Sequence, residues 1–182
     1  MMRKIYRNYK SVLLIIFICF LSDTVKAGCK SYIPSDTPNE RFDINDDGLT
    51  VRDIETGLTW SRCSLGQTGN ECATFASLFD FSGALSAAEA STIGGFSDWR
   101  LPNIKELMSI VAVNCSSPSI NLEVFPNTPS GITSSGVAWS STPGRSISET
   151  WSIRFGLGGE TTQYSFRFRA AVRLVRDTTL EP

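Results

Sequence analysis

Not one histidine occurs among the 182 residues. That absence removes the Ser-His and Cys-His nucleophile arrangements, and with them the commonest general base. Only carboxylate, Lys or Tyr chemistry is left open to an enzyme. Long apolar runs are scarce too. The unbroken run "VLLIIFICFL" at 12–21 is shorter than the roughly 20 apolar residues a bilayer span needs. There is no G-x-y repeat, so a collagen-type triple helix is excluded. Positive charge is also in deficit: residues 28–182 carry 12 Lys and Arg against 17 Asp and Glu, a net charge of −5. An acidic chain is a poor generic binder of nucleic acid or anionic membrane.

What is present begins with an export signal. Arg3, Lys4, Arg7 and Lys10 precede the apolar run, and Val25-Lys26-Ala27 offers a small-residue exit. This is the layout of a secretory signal peptide over residues 1–27. The mature chain is expected to start at Gly28 and to reside in the periplasm, on the cell surface or outside the cell. A lipoprotein reading of Cys29 is disfavoured, because Lys26 stands where a lipobox wants an apolar residue. The remaining cysteines, Cys29, Cys63, Cys72 and Cys115, read as two disulfides in an oxidising compartment, with three connectivities open. Their spacing does not resemble a zinc ribbon. Short separation favours Cys63–Cys72. The second expected bridge, Cys29–Cys115, ties a polar arm over 28–41 to the end of the longer helix. One domain then covers 42–176, with a tail over 177–182.

"DINDDGLTV" at 43–51 has the opening spacing of a calcium loop. An EF-hand needs a bidentate Glu at its twelfth position, which here is Ile54. The stretch is therefore read as a β-hairpin turn, and no metal site is expected. Ser82 is expected to cap a helix over "GALSAAEA", with Ala84, Leu85 and Ala88 on one face. Asn103 and Glu106 form an N-x-x-E capping box for a second helix, whose inward stripe is Leu107, Ile110 and Val111. Asp98 and Arg100 flank Trp99 at the preceding corner and are expected to pair over it. The last segment alternates strongly. Phe166, Phe168, Ala170, Val172 and Leu174 take one face of an expected strand, and Arg167, Arg169 and Arg173 take the other. Such a row offers planar, always-charged forks to sulfates or carboxylates of an acidic polysaccharide. The plainer alternative is a solvated face paired with acids on a neighbouring strand.

Six ordered motifs carry a resemblance: "DGLTVRDIETGLTWSRCSLGQ", "GFSDWRLPNIKELMSIV", "SPSINLEVFPNTP", "AWSST", "TWSIRFGLG" and "AAVRLVR". Together they resemble the Lcl C-terminal domain family, the C-terminal domain of a bacterial collagen-like adhesin. The resemblance covers residues 42–176. It implies an α+β, C-type-lectin-like fold: two helices packed on short twisted antiparallel strands and stitched by disulfides. It also implies glycosaminoglycan binding as the adhesin's activity. "DWRLPNIKEL" is similar to a corner of the formylglycine-generating enzyme family. No cysteine follows Cys115, so the cysteine chemistry implied by that similarity has no counterpart. The E-P-N, Q-P-D and W-N-D triplets of calcium-borne lectin sites are absent too.

The expected function is a secreted binding module that contacts an acidic glycan or a surface protein without calcium, cofactor or catalysis. The alternatives are a structural or assembly domain and, more remotely, a hydrolase using Asp98 and Glu106.

Overall fold

The computed structural model describes residues 28–178. The expected signal peptide, its cleavage site and residues 179–182 of the tail lie outside the described residues. Among the described residues the chain forms seven strands and two α-helices. Strands β1 (Phe42–Ile44), β2 (Thr50–Asp53), β3 (Leu58–Ser61) and β7 (Val175–Asp177) make one antiparallel sheet in the order β1-β2-β3-β7. Strands β4 (Val137–Pro143), β5 (Glu149–Arg154) and β6 (Glu160–Ser165) make a second, also antiparallel.

The stretch "DINDDG" is a hairpin turn, with Ile44 paired to Val51. Gly48 sits at φ +66°, and a Cβ there would meet the Asn70 side chain at 2.7 Å. Glycine is required on both counts. Helix α2 (Ile104–Ser109) carries the expected capping box: Asn103 Oδ1 accepts from Glu106 N–H, and a Glu106 carboxylate oxygen accepts from Asn103 N–H.

Helix α1 (Phe81–Glu89) departs from expectation at its start. Its N-cap is Asp80, not Ser82, and Asp80 Oδ1 accepts from Gly83 N–H at 2.8 Å. An N-cap must keep extended dihedrals. Asp80 does so at φ −68°, ψ 170°, whereas Ser82 is already inside the helix. The buried face is Ala84 and Ala88, one helical turn apart, while Leu85 is 44% exposed.

The expected long final strand is also corrected. Strand β6 stops at Ser165, where Phe168 N–H returns to the Ser165 carbonyl in a turn. The chain then crosses between sheets through single bridges, Phe79 to Ala170 and Ala138 to Ala171, before it re-enters pairing as β7. Aromatic packing holds the turn. Phe166 stacks on Phe81 with centroids 4.6 Å apart, and Phe168 stacks on Tyr164 at 3.9 Å.

Two apolar clusters result. Phe42, Trp60, Leu107, Ile110, Ile120, Phe125 and Ile153 pack between the first sheet, α2 and β5. Trp99, Leu101, Trp139, Val172 and Leu174 pack beneath α1. The bridges Cys29–Cys115 and Cys63–Cys72 close loops across 86 and 9 residues.

Candidate functional site

The three arginines expected to share a strand face do not share one. Arg173 is 1% exposed. Its guanidinium donates to the carbonyls of Ser61 and Arg62 and to Thr128 Oγ1 at 2.8 Å, and it lies 4.8 Å from the Phe125 ring centroid. Burial pushes it down to about 9, with the nearby Arg62 charge adding to the shift. It therefore remains a cation at neutral pH. Arg62 is likewise buried and donates to the carbonyls of Val124, Gly48, Asn70 and Glu123. Buried charge survives only when its donors are met, and here backbone carbonyls and the Thr128 hydroxyl meet them. These two side chains stitch loops and are out of reach of a ligand.

Arg167 and Arg169 are exposed and sit on or beside the turn that ends β6. Arg169 is steadied by two hydrogen bonds to the Leu78 carbonyl, at 3.2 and 2.7 Å. A third exposed arginine, Arg145, lies in the β4–β5 connection, where its N–H donates to Gln163 Oε1 of β6. That connection abuts the same turn, since Phe166 N–H donates to the Ser148 carbonyl at 2.9 Å. Among the described residues none of the three guanidiniums has an acidic partner within salt-bridge distance. Sequence periodicity missed Arg145 because it arrives on a different connection. The Gly144 before it, turned against Gln163 and Glu149, was the available signal.

Asp98 and Arg100 do not pair over Trp99. Asp98 accepts from Arg176 Nε at 2.6 Å, and Arg176 stacks over Phe96 at 3.9 Å. The hydrogen bond from Arg176 holds the Asp98 carboxyl below the usual carboxylate range. Arg100 instead grips Glu106 through two bonds of 2.8 and 2.9 Å and reaches Asp177 at 2.8 Å. Trp99 is buried and donates from Nε1 to the Ile93 carbonyl. Successive residues of an extended segment point to opposite sides. Asp98 and Arg100 flank the same Trp, yet strand β7 supplies each with its own partner. Both carboxylates of the hydrolase alternative are thus tied into structural pairs.

In the acidic turn Asn45 Nδ2 donates to Thr50 Oγ1, and Asp47 Oδ1 accepts from Leu49 N–H. Two of its oxygen-bearing side chains therefore serve the hairpin itself. Among the described residues no group of three His, Cys, Asp or Glu converges as a metal site would.

Two hollows remain. The larger, about 700 Å³, runs along the seam between the N-terminal arm and the 112–123 segment; Glu40 and Glu123 line it without a cation. The smaller, about 370 Å³, lies between the loop after Cys72 and the 127–135 segment.

Comparison with known proteins adds one finding. The family model of the Lcl C-terminal domain matches residues 49–176. Among curated proteins none matches the chain.

Proposed function

The chain belongs to the Lcl C-terminal domain family, and on that premise we propose that it is an exported binding module that grips an acidic glycan without calcium. The same reading places it in the C-type-lectin-like class and has it act by contact, not by catalysis. Its support is three exposed arginines with no acidic partner among the described residues: Arg145 on the β4–β5 connection, and Arg167 and Arg169 on or beside the turn that this connection abuts. Planar, permanently charged forks suit sulfate and carboxylate bidentately. Half-buried Phe166, Phe168 and Tyr164 hold the turn in place by stacking. Preorganised loops lose less entropy on binding. Two disulfides agree with a life outside the cytoplasm.

The test is affinity for heparin, a sulfated uronate polymer, by calorimetry at several salt concentrations. Replacing Arg145, Arg167 and Arg169 together by Gln should leave the near-ultraviolet dichroism unchanged and weaken binding tenfold or more, about 1.4 kcal/mol. Wild-type binding should weaken as salt screens the contacts. Arg173→Gln should instead lower stability, because it leaves buried carbonyls unmet. A folded triple variant that binds heparin as well as wild type overturns the reading. A blank for the wild type would favour an assembly role.

A further inference from the structure

The smaller hollow differs from the arginine surface in having no charge at all. Its polar lining is Gln67, Thr74, Asn127, Ser130 and Ser135, and its apolar lining includes Phe75, Ala76 and Pro129. Phe75 is 97% exposed. A single exposed aromatic means little alone; here Phe75 is one of the residues that line a hollow of about 370 Å³. That is within the usual range for small-molecule sites, roughly 300–1,000 Å³.

The walls are built rather than loose. Gln67 Nε2 donates to the carbonyls of Cys72 and Asn127, and Asn127 Nδ2 returns to the Glu71 carbonyl at 2.7 Å. The Cys63–Cys72 bridge closes one wall. The other is packed backbone to backbone: a Cβ on Gly136 would meet the Gly131 carbonyl oxygen at 1.7 Å, and one on Gly156 the Ser130 carbonyl oxygen at 2.4 Å. Among the described residues Asn127 Oδ1 and the hydroxyls of Ser130 and Ser135 engage no protein partner, which leaves one acceptor and two donor-acceptors.

We propose that this hollow is a second ligand site, for a neutral sugar. A hexose or N-acetylhexosamine ring lays its C–H face on Phe75 and turns its hydroxyls to Asn127, Ser130 and Ser135. The chemistry selects this class. Aromatic faces carry negative potential that suits a C–H patch, and hydroxyls that donate and accept match Ser and Asn oxygens. No charged side chain lines the hollow to hold a uronate or a sulfate. No large aliphatic side chain lines it either, so it offers no pocket for the apolar anchors of a peptide.

Saturation-transfer NMR with lactose and with N,N′-diacetylchitobiose tests this on the mature protein. At least one disaccharide should receive saturation on one ring face, with a Kd on the order of 1–10 mM, about −3 to −4 kcal/mol. Phe75→Ala should abolish the transfer with an unchanged melting temperature, since the ring is exposed, and Phe75→Trp should keep it. The Arg145, Arg167 and Arg169 triple variant should bind the disaccharide like wild type, which separates this site from the proposed heparin surface. Transfer to neither disaccharide overturns the proposal. So does equal transfer in Phe75→Ala, or displacement of the disaccharide by heparin.

Discussion

Arg41 and Asp53 form the most deeply buried ion pair among the described residues, with side chains 7% and 0% exposed. Arg41 precedes β1 and Asp53 ends β2, so the pair locks the end of the N-terminal arm to the first sheet. Arg41 Nε meets Asp53 Oδ1 at 2.8 Å, and NH2 meets Oδ2. Thr56 Oγ1 and the Glu55 N–H also donate to this carboxylate. Asp53→Asn keeps the shape but removes the charge and turns an amide N–H₂ toward a cation. Breaking one side of a buried pair costs about 3–5 kcal/mol. Glu55, 3.3 Å from Arg41 but 63% exposed, offsets only a little of that. For a chain of this size each kcal/mol moves the melting temperature by about 2–4 °C. A fall of about 6–20 °C is expected by calorimetry, with a matching loss in urea denaturation. The double variant Arg41→Met, Asp53→Leu should recover much of it, because an apolar replacement leaves no orphaned charge. A single Asp53→Asn loss below about 1 kcal/mol would refute the reasoning.

The pair also sets a pH signature. Burial alone would raise the Asp53 carboxyl, but hydrogen bonds from Arg41 and Thr56 outweigh it, so the folded pKa lies below the ordinary 3.8. A lowered carboxylate contributes stability that is fully present above the unfolded value and is lost as pH falls through the folded one. The gap between wild type and Asp53→Asn should therefore be constant from neutrality to about pH 4.5 and shrink below it. A gap that persists undiminished into strong acid would assign the loss to packing, not charge.

Calcium should leave the melting temperature of the wild type unchanged, because Asn45 and Asp47 are engaged within the hairpin and a ligand of the folded state must raise it; a clear rise in differential scanning fluorimetry would contradict this. Removing Cys29–Cys115 should cost about 4.6 kcal/mol, and removing Cys63–Cys72 about 2.6 kcal/mol, in a chain-entropy picture of their loop lengths. Paired Ser variants in urea check the order, and a larger loss from the short loop would contradict it.

The parts legible in the sequence were local. The α2 capping box needs only Asn103 and Glu106, three residues apart, and both bonds formed as the pattern implied. The 43–51 hairpin followed from Gly48 and the alternation on either side. The Cys63–Cys72 bridge followed from short separation. The illegible parts depended on distant partners. Asp98 finds Arg176, 78 residues away, rather than its neighbour Arg100. Period-two alternation was real as burial only as far as Arg169; from Ala170 to Arg176 every residue is buried, Ala171 and Arg173 included. Alternation does not report whether the backbone has a partner on both sides. The chain turned at Phe166, and Arg173 was carried into the core with it.

Arginine thus performs three different tasks in this fold, and geometry alone separates them. Arg62 and Arg173 donate to backbone carbonyls of loops and of the end of β3. A fold with three- to seven-residue strands leaves many such carbonyls, and each buried one needs a donor. Arg41, Arg100 and Arg176 meet carboxylates and fix the arm, the α2 corner and β7. Arg145, Arg167 and Arg169 meet no acid among the described residues and stand on connections at one end of a sheet. A guanidinium used inside the fold costs stability when lost; one left free costs only what it binds. That difference in consequence tells scaffold from surface. It makes the exposed arginines that meet no acid among the described residues the place to test the proposed glycan contact.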